Sequence, residues 1–154
     1  MAWPGSQSFA PTVRADGVEA VQPKSPRLEN RRLLNLARDK PCLLKTPLCN
    51  FDSATTVACH ANGVARGKGM GYKTSDFLSV WGCSDCNHYT DAYKGATRAQ
   101  KEAAFMVGHS RQVIEWRFIA MDMRNPEADR KAAIWALEML NATPIYETNE
   151  PAAL

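Results

Sequence analysis

The residues best equipped for chemistry in this chain are four cysteines in two pairs, Cys42 with Cys49 and Cys83 with Cys86. Four thiolates satisfy the tetrahedral shell of a structural zinc ion. The second pair has the tight Cys-x2-Cys spacing of a metal knuckle. The first pair is looser, with Pro47 inside its turn, so a four-thiolate site requires the fold to bring the two pairs together. The competing reading is four buried free thiols, because cysteine is among the residue types most often buried. Two pairs flanking a stretch of hairpin character favour Zn2+. Cys59, the fifth cysteine, stands directly before His60 and reads as core filling in preference to a ligand. An odd cysteine count, with no charged-then-apolar leader at the N-terminus, argues against a disulfide framework.

A second set of reactive side chains surrounds these pairs. His60 precedes a glycine-rich basic loop. Asn87, His88 and Asp91 follow Cys86 closely. If a helix begins at the knuckle, Asn87 and Asp91 lie four residues apart on one face, and His88 and Asp91 lie three apart on a neighbouring one. Either pair then projects toward the strand that ends in His60. That combination suits phosphodiester hydrolysis. A neutral imidazole takes a proton from water. A divalent ion on a carboxylate stabilises charge on the phosphate and the leaving oxygen, and an amide holds the imidazole in orientation. The structural alternatives are a buried His60, an Asp91 that only caps or pairs on the helix surface, and a His88 that is simply exposed. His109, mid-helix beside basic residues, reads as structural.

The elements that must position these groups follow from apolar patterning. Arg27 to Arg38 reads as a short helix with Leu28, Leu33, Leu34 and Leu36 as its apolar face. Thr55 to His60 and Phe77 to Gly82 read as strands. A helix starts on Cys83-Ser-Asp-Cys86. A long helix is expected from about Thr97 to Met123, and a last one from Pro126, a favoured first-turn residue, to about Asn141. Loop with two thiols, strand, loop, strand, then two thiols leading into a helix is the order of a treble clef. The expected fold is therefore α+β: a small zinc-stabilised ββα-metal core with flanking helices. Residues 1–26, rich in Pro, Gly, Ser and Ala, read as a flexible arm in which Trp3 and Phe9 are the large anchors.

Composition narrows the partner. The 154 residues carry a net charge of +3, unevenly spread. Residues 27–45 hold Arg27, Arg31, Arg32, Arg38, Lys40 and Lys45 against Glu29 and Asp39, whereas six acids face three bases from Met121 onward. A basic first half points to a polyanion, and nucleic acid is the usual one. Arg66, Lys68 and Lys73 sit in the glycine-punctuated loop beside His60, where close approach to a phosphate backbone is easy. The alternative is a solvated hairpin loop. No apolar run approaches the roughly 20 residues of a membrane helix, and a cytoplasmic location is expected by default.

The runs Thr-Thr-Val-Ala-Cys-His60, Gly-Met-Gly-Tyr-Lys-Thr-Ser-Asp76 and Trp-Gly-Cys-Ser-Asp-Cys-Asn-His-Tyr-Thr-Asp91 resemble the YbcO family of small prophage-encoded nucleases, related to the RecA-dependent Ref nuclease and to the HNH, or His-Me finger, endonucleases. The resemblance covers about residues 30–120. It implies that His60 is the general base, that Asn87 is the central residue after the second cysteine pair, and that Asp91 binds a catalytic Mg2+ or another divalent cation, with His88 or water completing the shell. Many HNH enzymes carry Asp or His directly before the base, where this chain has Cys59. The resemblance further implies a DNA substrate, a role in recombination or DNA processing, and a recombinase such as RecA as a partner. The expected division is an arm over 1–26, a nuclease domain over 27–124 and a C-terminal helix and tail over 125–154. Two other functions compete: a non-catalytic zinc module that binds nucleic acid, and an interaction module anchored by Trp116 and Trp135 on its C-terminal helices.

Overall fold

The computed structural model describes residues 27–62 and 74–142. The N-terminal arm with Trp3 and Phe9, the basic loop residues Arg66, Lys68 and Lys73, and the C-terminal tail lie outside the described residues.

The first helix, α1, spans Arg31–Asn35, less than the apolar pattern predicts. Asn30 sets its start: the side chain accepts a hydrogen bond from the Leu33 N–H at 3.0 Å, satisfying a donor the helix cannot. Residues 27–30 run alongside residues 75–76 instead. Leu28 N donates to Ser75 Oγ at 3.0 Å, and Asp76 N donates to Leu28 O at 3.0 Å. Leu33 and Leu36 are buried, whereas Leu28 is exposed.

Strand β1 is Val57–His60 and β2 is Ser79–Gly82, paired antiparallel with His60 opposite Ser79 and Cys59 opposite Val80. Both are shorter than expected. Ser53–Thr55 forms a 3-10 turn in place of the start of β1, because the Asp52 carboxylate accepts the Ala54 N–H at 3.0 Å and so offers the backbone a partner other than a neighbouring strand. Period-two alternation puts Cys59, Val80 and Gly82 on one face, and His60, Ser79 and Trp81 on the other. The first face is tightly closed. A side-chain carbon at Gly82 would lie 2.5 Å from Leu44 and 2.7 Å from the Cys59 sulfur, and one at Gly108 would lie 2.9 Å from Leu44.

Helix α2, Ser84–Asp91, starts on the cysteine knuckle with Cys83 as its N-cap. Helix α3, Arg98–Met121, opens on a capping box in which Thr97 Oγ1 accepts from Gln100 N and Gln100 Oε1 accepts from Thr97 N, a reciprocal pairing of two orphan donors. Its inner face, Phe105, His109, Gln112 and Trp116, is bonded as well as packed against the hairpin. Gln112 Oε1 accepts the Trp81 N–H at 2.8 Å, and His109 Nε2 lies 3.1 Å from Phe77 O. Helix α4, Glu127–Ala142, packs along α3 and reaches α1. Three buried alanines, Ala132, Ala133 and Ala136, allow that close approach. Trp116 is 1% exposed and Trp135 packs edge-on against Phe77, so Trp116 belongs to the core and offers no docking anchor. Among the described residues, no helix is long and apolar enough to cross a membrane.

Candidate metal centre and active site

The loop before β1 and the start of α2 converge on four sulfurs. The thiols of Cys42, Cys49, Cys83 and Cys86 all lie within 4.8 Å of one another, and Cys49 and Cys83 Sγ are 3.9 Å apart. A tetrahedral zinc site with Zn–S bonds of about 2.3 Å requires sulfurs about 3.8 Å apart, so the four residues fit that ion. Nearby donors suit thiolates. Thr46 N points at Cys86 Sγ at 3.4 Å, the Thr46 hydroxyl lies 3.1 Å from the same sulfur, and Cys86 N donates to Cys83 Sγ at 3.4 Å. Burial opposes ionisation of Cys83, but the amides of Asn50 and Cys86 outweigh it and bring that thiol down to about 7. Burial pushes Cys49 and Cys86 up, a cost that a bound cation would remove. Cys59 stands apart from this cluster. Burial pushes it up to about 12, and its sulfur faces the Gly82 carbonyl at 3.7 Å, so it is a protonated thiol inside the core.

His60 closes β1 with its side chain 18% exposed. Its Nε2 lies 2.9 Å from Oδ1 of Asp76, a residue only 1% exposed. Arg27 Nη2 reaches the same oxygen at 2.7 Å, and the Asn30 N–H donates to Oδ2 at 2.7 Å. Burial disfavours the charge on Asp76, but Arg27, His60 and the Asn30 amide outweigh it and hold the carboxyl below the usual carboxylate range. Sequence reasoning missed this residue as part of the site. Its signal was an acid placed directly before the apolar run of the second strand, at the end of a stretch otherwise without acids.

The α2 residues end near this histidine. Asn62, two residues past His60, donates from Nδ2 to the Thr90 carbonyl at 2.7 Å, which ties the end of β1 to the last turn of α2. Asp91 is the last residue of that helix and is exposed; Asn87 is half-buried. His88 is exposed, with its ring set edge-on to Tyr93 at 6.2 Å. Among the described residues, the four cysteines are the group of three or more metal-ligating side chains that converge, and His60, His88 and Asp91 do not form a second one.

The site thus consists of a thiol cluster able to hold zinc, set between a two-stranded hairpin and the helix that follows it. The family model described as "Putative nuclease YbcO" matches residues 31–131, well over half of the chain, and the chain belongs to that family. The chain is also similar to a solved structure described as "Structure of a putative bacteriophage protein from Escherichia coli str. K-12 substr. MG1655", at 21% identity and a TM-score of 0.43, over 53% of this chain and 91% of that one. Comparison with curated proteins gave no match.

Proposed function

We propose that this protein is a metal-dependent DNA endonuclease of the HNH type, built on a zinc-stapled treble clef and using His60 as its general base. The observation that carries this reading is the Asn62–Thr90 bond, which joins the strand end bearing His60 to the helix end bearing Asp91. Membership of a nuclease family supports a nucleic-acid substrate. In this reading the neutral imidazole of His60 takes a proton from the attacking water, a contribution of about 10²–10⁴ in rate. Asn87, one helical turn before Asp91 on α2, would supply the amide of this site. Asp91, with His88 or water, would hold a divalent cation, which would neutralise charge growing on the phosphate and the leaving oxygen. Mg2+ is commonly held by one or two carboxylates together with substrate phosphates, so a sparse protein shell suits it. Arg66, Lys68 and Lys73 contact DNA phosphates without reading bases. The catalytic unit lies within 27–124, with α4 as a buttress, and the setting is prophage-borne DNA processing or recombination.

A second reading, a zinc module that binds DNA without cutting it, draws on the buried thiol of Cys59, which occupies a place where HNH enzymes often carry a metal ligand. Incubating the zinc-loaded protein with single-stranded and duplex DNA in Mg2+ or Mn2+ separates the two. Cleavage is expected; retention of DNA without cleavage under either ion would leave the binding module standing.

A further inference from the structure

The sequence motifs leave the orientation of His60 to an amide and name no group that fixes which ring nitrogen carries its proton. We propose that Asp76 is the positioning residue of the general base: its Oδ1 fixes the proton of the neutral imidazole on Nε2 and leaves Nδ1 as the lone pair that receives the proton of water. This inference rests on His60 being the base.

The geometry permits little else. An ionised carboxylate only accepts hydrogen bonds, so a ring nitrogen 2.9 Å from Asp76 Oδ1 must carry a proton. A neutral imidazole has one N–H, and the free lone pair therefore falls on Nδ1. Once His60 takes the proton of water, the adjacent carboxylate stabilises the imidazolium. Asp76 is buried, and a buried unpaired charge is costly; Arg27 and the Asn30 amide offset that cost. The same contacts make the segment before α1 part of the site, because Arg27 and Asn30 clamp the carboxylate from that side. Arg27 is in turn paired with Glu29 at 3.2 Å. On the elements packed against β1, the other charged or titratable groups are Arg31 and Arg32 on α1 and Asp85, Cys86, His88, Tyr89 and Asp91 on α2; β2 carries none.

The test reads the ring directly. In the full-length, zinc-loaded, nitrogen-15-labelled protein, at a pH where the ring is neutral, the imidazole shifts of His60 should report a protonated Nε2 and an unprotonated Nδ1. In Asp76→Asn, one oxygen becomes an NH2 donor that must face either the Asn30 N–H or Arg27 and the His60 ring, and in both orientations the charge that stabilises the imidazolium is gone. DNA cleavage should then fall by about 10²–10⁴. A wild-type ring with its proton on Nδ1 overturns the proposal, and that measurement needs no variant to fold. So does an Asp76→Asn protein that cleaves at the wild-type rate. If the wild-type ring carries its proton on Nε2 but His60→Ala cleaves as well as wild type, the base assignment falls and takes the catalytic role of Asp76 with it, a failure distinct from a wild-type ring in the other form.

Discussion

Asp76 gathers three donors, from Arg27, Asn30 and His60, in a place that water hardly reaches. Its effect on stability has a definite sign. Its folded-state pKa lies below the ordinary 3.8, so the stabilisation it provides is complete above the unfolded-state value and is lost as pH falls through the folded one. Chemical denaturation followed on acidification below about pH 4 should show a steeper loss for wild type than for Asp76→Asn, where no ionised group remains to be protonated. Zinc release contributes to both proteins, so the difference between the two curves is the measure, and parallel curves would contradict the assignment. The cysteine cluster was legible in the sequence because its residue type and spacing are themselves the signal. Asp76 was not, because its burial and its partners depend on residues 27–30 folding back across residues 75–76, a contact that no local pattern encodes. An amide was expected to orient the imidazole; the contact observed at Nε2 is to that carboxylate.

At the level of elements, the hairpin is held by close approach. Gly82 faces Leu44 and the Cys59 sulfur, and Gly108 lets α3 settle on the same face. Gly82→Val would drive a branched side chain into both neighbours. Overpacking of this kind costs about 1–3 kcal/mol, and thermal or urea unfolding should show a loss in that range with the zinc content unchanged; no loss would mean that the face is looser than described. Helices α2, α3 and α4 were legible to within a residue or two, since the knuckle, the Thr97 capping box and Pro126 mark their starts. Helix α1 and the start of β1 were not. In both places a side chain, Asn30 or Asp52, bonds the local backbone and so sets a boundary inside an apolar pattern that continues past it.

Across the whole molecule, the two-stranded sheet is too small to hold together by itself, and the thiol cluster joins the loop before it to the helix after it. Metal binding at such sites contributes on the order of 10 kcal/mol to folding. Cys83→Ser, or chelation of the wild-type protein, should therefore release zinc and unfold the hairpin and α2, read as loss of zinc by metal analysis and loss of amide dispersion in that region. Unchanged zinc content and folding would exclude the staple. The net positive charge of the chain is concentrated before residue 76, the half that carries His60, and the acidic surplus falls on α4 and beyond. The central claim, that His60 acts as the base of a DNA-cleaving site, is tested most directly by single-turnover cleavage of DNA in Mg2+ or Mn2+ by wild type and His60→Ala at matched zinc content. The variant should cleave about 10²–10⁴ more slowly, with zinc and fold retained; equal rates would contradict a base role for His60.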